Sequence, residues 1–224
     1  MPRKETITSE EMRSLEDAAI SNGLVTGLEL MSRAGQGVVE AIIEHWPEMD
    51  LGHQCAVILC GPGNNGADGF VVARLLRERG VDVSAHFAGG VERLSSDARA
   101  NYDRWINEGG QVAEYTQATL EQRILKDSPV LVVDALLGIG QSRDCDPILA
   151  PILGVLDSAS NLSVPRPLHT VSVDVPTGYR TDTGALLSTN PFEPDLTVTF
   201  HRKKPVHDML TRHGYHVVVK DIGL

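Results

Sequence analysis

Three stretches hold the residues of this sequence that could do chemistry, and each follows a short apolar run. The first, Gly61-Pro62-Gly63-Asn64-Asn65-Gly66-Ala67-Asp68-Gly69, has little side-chain bulk and two adjacent amides. Glycines let a backbone approach a phosphate closely, and a helix starting there offers free N–H groups to an anion. The G-x-G-x-x-G spacing is that of a dinucleotide loop. The acid such a loop needs at the end of the next strand is missing, because Asp82 stands at that strand's beginning and its end reads His86-Phe87-Ala88. No Lys-Ser or Lys-Thr follows Gly66, which excludes a P-loop. The plain alternative is a glycine turn that holds no ligand.

In the second stretch Asp134 closes an apolar run. It is either a helix cap or a buried charge in need of a cation, an N–H cluster or a metal ion. Gly138-Ile139-Gly140-Gln141-Ser142-Arg143 follows as a flexible loop, with Arg143 as a phosphate ligand or an ordinary surface residue. In the third stretch, Ser172-Val173-Asp174-Val175-Pro176-Thr177-Gly178, an acid again ends a strand. Carboxylates, amide oxygens and carbonyls without His or Cys suit a hard cation better than zinc. The sequence has no H-E-x-x-H, C-x-x-C or G-x-S-x-G, so zinc and serine hydrolysis lack support. His201-Arg202-Lys203-Lys204 reads as a solvated turn or as a rim that attracts phosphate.

The elements that must position these residues alternate. Thr8-Ser9-Glu10-Glu11 is a capping box ahead of a helix with Met12, Leu15, Ala18 and Ala19 at helical spacing. A second helix is expected from Gly27 to His45, closed by Pro47. Strands are expected at 55–60, 81–87, 129–138, 168–178, 195–200 and 215–224. Helices are expected at 70–80, 95–110 and 147–156, and 158–167 reads as a surface connection. Strand–helix repetition predicts a doubly wound parallel sheet. The C-terminal strand ends then share one edge, which brings Asn64, Asn65, Asp68, Asp134 and Asp174 to one crevice.

The chain has 224 residues, 42% of them hydrophobic and 22% charged, enough to bury a core. Its net charge of −10 argues against nonspecific nucleic-acid binding and against an anionic membrane surface. Three cysteines without paired spacing give no disulfide framework. No apolar run reaches the ~20 residues of a membrane span, and the N-terminus lacks a signal peptide's apolar core. The expectation is a soluble, cytoplasmic protein.

GPGNNGADGFVVARLL, VVDALLGIG, SVDVPTG and DLTVTFHRKKP, in this order, resemble the YjeF N-terminal-domain family, the NAD(P)H-hydrate epimerases. LELMSRAG is similar to that family's opening helix motif, and the likeness runs from about Ser9 to the end. It implies a Rossmann-like three-layer α/β/α sandwich with a mostly parallel central sheet. The expected organisation is one domain over 1–224, with the helices of 1–50 packed on the α/β core. The implied activity interconverts the R and S forms of hydrated NADH and NADPH for an ADP- or ATP-dependent dehydratase, separate or fused C-terminally. The resemblance also implies that Asn64, Asn65, Gly66, Ala67 and Asp68 line the hydrate's site. Gly138, Ile139, Gly140, Gln141, Ser142, Arg143 and Asp144 would wrap it. Asp174 would contact it, and Asn65, Asp134 and Thr177 would bind one potassium ion. Asp174 is the expected acid–base group. Ala67 and Ser32 depart from the family pattern, Ala67 costing strain only if its φ is positive. The opening helices are candidates for a homodimer face. The alternative is a catalytically silent nucleotide-binding or scaffold module on the same fold.

Overall fold

The computed structural model describes residues 6–49, 51–126, 130–161 and 167–224. Among them seven strands form one sheet: β1 Cys55–Cys60, β2 Asp82–Phe87, β3 Val112–Glu114, β4 Val130–Ala135, β5 Leu168–Val173, β6 Leu196–Phe200 and β7 His216–Lys220. The order is β3-β2-β1-β4-β5-β6-β7, and every neighbouring pair is parallel. The chain therefore reverses direction across the sheet between β1 and β4. There the loops after the two strands part and leave a crevice.

Alternation along β1 supplies both faces of the sheet. Ala56, Ile58 and Cys60 enter one core with α2 (Gly27–His45) and α3 (Asn64–Glu78), which Trp105 of α4 (Ser96–Asn107) joins. Cys55, Val57 and Leu59 enter the other, with α5 (Gln117–Ile124) and α6 (Asp146–Ser160). A strand buried on both faces reads as a continuous apolar run, as CAVILC does. α1 (Ser9–Ser21) and α2 both begin with capping boxes, Thr8 with Glu11 and Thr26 with Glu29. α2 has the bounds its sequence predicts. α7 (Pro205–Arg212) packs Val206 and Leu210 beside Val175 and Tyr179.

The structure departs from the sequence reading in its short elements. β3, α5 and α7 were not anticipated, because three to eight residues are too few to show a period. α3 starts at Asn64 rather than Phe70, so the glycine loop shrinks to Gly61–Gly63. α6 runs on to Ser160 through part of the expected connection. Residues 162–166 of that connection, and Pro129 of the third expected strand, lie outside the described residues.

Candidate functional site

Two of the first loop's glycines are required by packing. A Cβ at Gly61 would run into the Leu136 carbonyl, and one at Gly66 into the Gly61 carbonyl. These glycines let the first turn of α3 pack against the chain leaving β4. Gly63, the N-cap of α3, is different: a Cβ there would meet nothing within 4 Å. No side chain caps this helix, so its first N–H groups remain available to an anion. Asn64 is exposed at the mouth, while Asn65, Gly66 and Ala67 are buried. Ala67 lies inside α3 against Met31 and Ala98, away from the positive-φ region, so its departure from glycine costs no strain.

Asp134 is the centre of the second cluster and is fully buried. Oδ1 accepts from Leu136 N at 3.1 Å and from Thr177 Oγ1 at 2.8 Å. Oδ2 accepts from Thr177 N at 2.9 Å and from Ser172 Oγ at 3.1 Å. Burial pushes its carboxyl up and these four bonds pull it down, with a net rise. Among the described residues no Lys, Arg or His lies within ion-pair distance of it. Of the sequence's alternatives for Asp134, the N–H cluster is present and the helix cap is not.

Gln141 ties the second stretch to the third. Its Nε2 donates to Pro176 O at 3.1 Å, and its Oε1 accepts from Gly178 N at 2.8 Å. It is buried and acts as a clamp. Gly138 faces the Asn65 amide, and Ile139 and Gly140 adjoin Arg13 of α1, whose Nη2 reaches Ile139 O at 3.4 Å. Ser142, Arg143 and Asp144 are exposed. Arg180 lies over this rim, its Nη2 3.5 Å from Ser142 O.

Asp174 ends β5 with φ 63°, in the left-handed region where a non-glycine residue is strained. The basic stretch supplies what holds it, and here both sequence readings of Lys204 are corrected. Lys204 is neither solvated nor on a rim. It is fully buried, and its Nζ donates to Asp174 Oδ1 at 2.8 Å, Thr199 Oγ1 at 2.9 Å and Phe200 O at 3.2 Å. Thr199 Oγ1 also donates to Asp174 Oδ1, at 2.9 Å. The turn at His201 that folds Lys204 inward has φ 61°. Burial alone would raise the Asp174 carboxyl, but the Lys204 ammonium and these bonds hold it below the usual range.

His207 completes the support. Its Nδ1 accepts from Lys204 N at 2.8 Å, so Nε2 carries the proton and donates to Asp174 O at 2.7 Å. Burial lowers this imidazole to about 4. The unfolded chain takes up that proton near pH 6.5, so the contribution of His207 to stability is complete above that pH and is lost as pH falls towards about 4, at about 1.4 kcal/mol per unit. Asp68, Glu16 and Asp134, all raised, carry the opposite slope. The expected result is therefore differential. The stability gap between wild type and His207→Gln, measured by urea unfolding, narrows steadily from pH 6.5 to pH 4.5. A gap independent of pH in that window would disprove the neutral assignment.

Two further carboxyls face Asp174. Asp68, one turn into α3, is partly buried, and its Oδ1 is enclosed without a hydrogen-bond partner. Burial, then the charges of Asp174 and Glu16, hold Asp68 well above its ordinary value. Glu16, from α1, is raised by burial and by Asp174. Glu16, Thr199 and Ser172 were not singled out by sequence. A signal existed for Thr199, because Thr197 and Thr199 are buried hydroxyls in an otherwise apolar strand.

Residues 27–206 match the family described as YjeF-related protein N-terminus. The chain belongs to this family. Among its relatives, an NAD(P)H-hydrate epimerase of Rhodobacter capsulatus is 48% identical over 98% of this chain and 99% of its own length. The epimerase of Cereibacter sphaeroides is 46% identical over 95% of the chain and 99% of its own. A bifunctional NAD(P)H-hydrate repair enzyme of Moorella thermoacetica is 33% identical over 80% of this chain but only 32% of its own length. The crystal structure of yeast ynu0 superposes with a TM-score of 0.77 at 22% identity, covering 96% of this chain and 88% of that one, and shows the same fold. The α/β sandwich and the family that the sequence motifs imply are thus both found.

Proposed function

We propose that this YjeF N-terminal chain is an NAD(P)H-hydrate epimerase that interconverts the R and S forms of hydrated NADH and NADPH. The observation that carries the reading is a pair of carboxyls in opposed surroundings at one crevice: Lys204 Nζ and Thr199 Oγ1 hold Asp174 Oδ1 and the ammonium lowers it, while Asp68 Oδ1 is enclosed without a partner and burial and the charge of Asp174 raise it. The full-length relatives named for this activity support it.

The reaction needs little. Asp68 gives a proton to the C6 hydroxyl, the C6–O bond breaks as the ring nitrogen's lone pair forms a C=N bond, and water leaves. The ring is now cationic, and the Asp174 carboxylate, expected from the sequence as the acid–base group, stabilises it instead in this scheme, because Lys204 and Thr199 already engage its Oδ1. Water adds to the opposite face and the proton returns to Asp68, so the cycle balances. Positioned acid–base groups of this kind contribute about 10²–10⁴-fold. The open N-terminus of α3 and the loop at Gly138–Asp144 are suited to the nucleotide's phosphates.

Asn65, Asp134 and Thr177 fit a potassium ion. All three offer oxygen, the donor a hard cation takes, and among the described residues no Lys, Arg or His lies within ion-pair distance of Asp134. Bound there, the ion would supply positive charge next to the phosphate-facing loops. Among the described residues no three His, Cys, Asp or Glu side chains form a metal-binding group.

A dehydratase that consumes one epimer is the functional partner this reading calls for, and a cytoplasmic location accords with it. No helix among the described residues is long and apolar enough to cross a membrane. A homodimer would cover the exposed Leu15, Ile20 and Leu28 of the opening helices and Leu24 in the turn between them.

The deciding measurement is the rate of R-to-S interconversion of NADPH hydrate, followed by chromatography in potassium and in sodium alone. Acceleration over the spontaneous rate that requires potassium is expected. No acceleration in either salt, from folded protein, would favour a silent binding module. Equal acceleration in both would remove the ion from the proposal.

A further inference from the structure

Asp174 is over-determined. Its backbone is in the left-handed region, its carbonyl is bonded to His207 Nε2 at 2.7 Å, and its Oδ1 accepts from both Lys204 Nζ and Thr199 Oγ1. Lys204 is itself immobile, since all three of its donors are engaged and its side chain is closed to solvent. Nothing in the geometry leaves the carboxylate free to turn. Its other oxygen, Oδ2, takes no hydrogen bond from the described residues, and the Asp174 side chain retains 12% exposure.

We infer that Lys204 is a positioning residue: with Thr199 it fixes Oδ1 and so presents Oδ2 to the substrate. Resting on the epimerase reading, this assigns the reaction's stabilising oxygen to one atom and its aim to a lysine that never touches substrate. The groups facing Asp174 are Lys204 and His207 from the α7 end, Asp68 from α3 and Glu16 from α1. Of these, the lysine alone supplies a fixed positive charge, because His207 is held neutral by its tautomer and burial. Removing the charge leaves Asp174 facing the His207 imidazole and two carboxyls, which favours its protonated form.

The test uses Lys204→Met, similar in length and uncharged, and Thr199→Val as a milder variant that keeps the ion pair. In Lys204→Met kcat for NADPH-hydrate epimerisation is expected to fall about 10²-fold with KM little changed, and the acid limb of the pH–rate profile moves to higher pH. Carboxyl-carbon NMR titration, which does not depend on activity, should show Asp174 moving up in Lys204→Met and less so in Thr199→Val. If Lys204→Met does not fold, the Thr199→Val shift and a smaller kcat loss carry the decision. Unchanged Asp174 titration, or a raised KM at unchanged kcat, overturns the inference. A wild-type protein that does not epimerise would instead overturn the proposed function, whatever the titration shows.

Discussion

Asp174→Asn is expected to lower kcat by roughly 10²–10⁴-fold while nucleotide binding changes little. The substitution keeps the local backbone and hydrogen-bond geometry. Asparagine tolerates the left-handed backbone that Asp174 adopts at φ 63°. Its amide oxygen can still accept from Lys204 and Thr199, which contact one oxygen of the native carboxylate. The carboxylate charge is lost, and with it both the stabilisation of a cationic ring and the pairing of the buried Lys204 ammonium, so folding of the variant is checked by circular dichroism alongside. That charge acts in a largely desolvated site, where a fixed group opposite a developing charge is worth most. The measurement is steady-state epimerisation beside a titration of NADPH binding. Near-wild-type turnover would end the assignment. Equal losses in turnover and binding would make Asp174 an ordinary binding group.

Asp134→Ala should cost stability before it costs anything else, on the order of 4 kcal/mol. The side chain accepts four hydrogen bonds in a fully buried position. Alanine leaves Leu136 N, Thr177 N, Thr177 Oγ1 and Ser172 Oγ unmatched, and each such group costs about 1–3 kcal/mol. Water entering the space returns part of that sum. A chain of this length loses about 2–4 °C of Tm per kcal/mol, so a fall near 10 °C is expected in a thermal melt. Thr177→Val, which removes one donor and keeps the other three, should lose far less. A loss below about 1 kcal/mol for Asp134→Ala would show that the residue is not the knot joining β4 to the turn after β5.

The fold was legible because its central strands are apolar, CAVILC throughout and VLVVDA up to Asp134, and each ends in a polar loop. That pattern predicts the parallel sheet and the shared edge, and with them the meeting of Asn65, Asp134 and Asp174. What sequence could not display is direction. A run of His-Arg-Lys-Lys carries the same composition whether it points outward or, as at Lys204, is folded inward by a left-handed His201. The same holds for Glu16, one acid among several on α1, whose place beside Asp174 depends on how the helix is laid down. Gln141 was visible only as one polar residue of a loop, since its two partners lie 35 and 37 positions away.

α1 is fastened at the rim by long threads: Thr6 Oγ1 to Asp208, Ile7 N to Lys203 O, and Ser9 to the Asp182 carboxylate. These partners stand 173 to 202 positions further along the chain. During synthesis the first helix therefore emerges well before these partners, and its rim contacts wait until residues 182 to 208 are made. Closing so long a loop is entropically slow and follows the assembly of the sheet. The crevice thus acquires its Glu16 and Arg13 wall after the sheet that the wall closes against. A nascent chain halted before residue 182 would have β1, β4 and β5 available, and none of these α1 anchors.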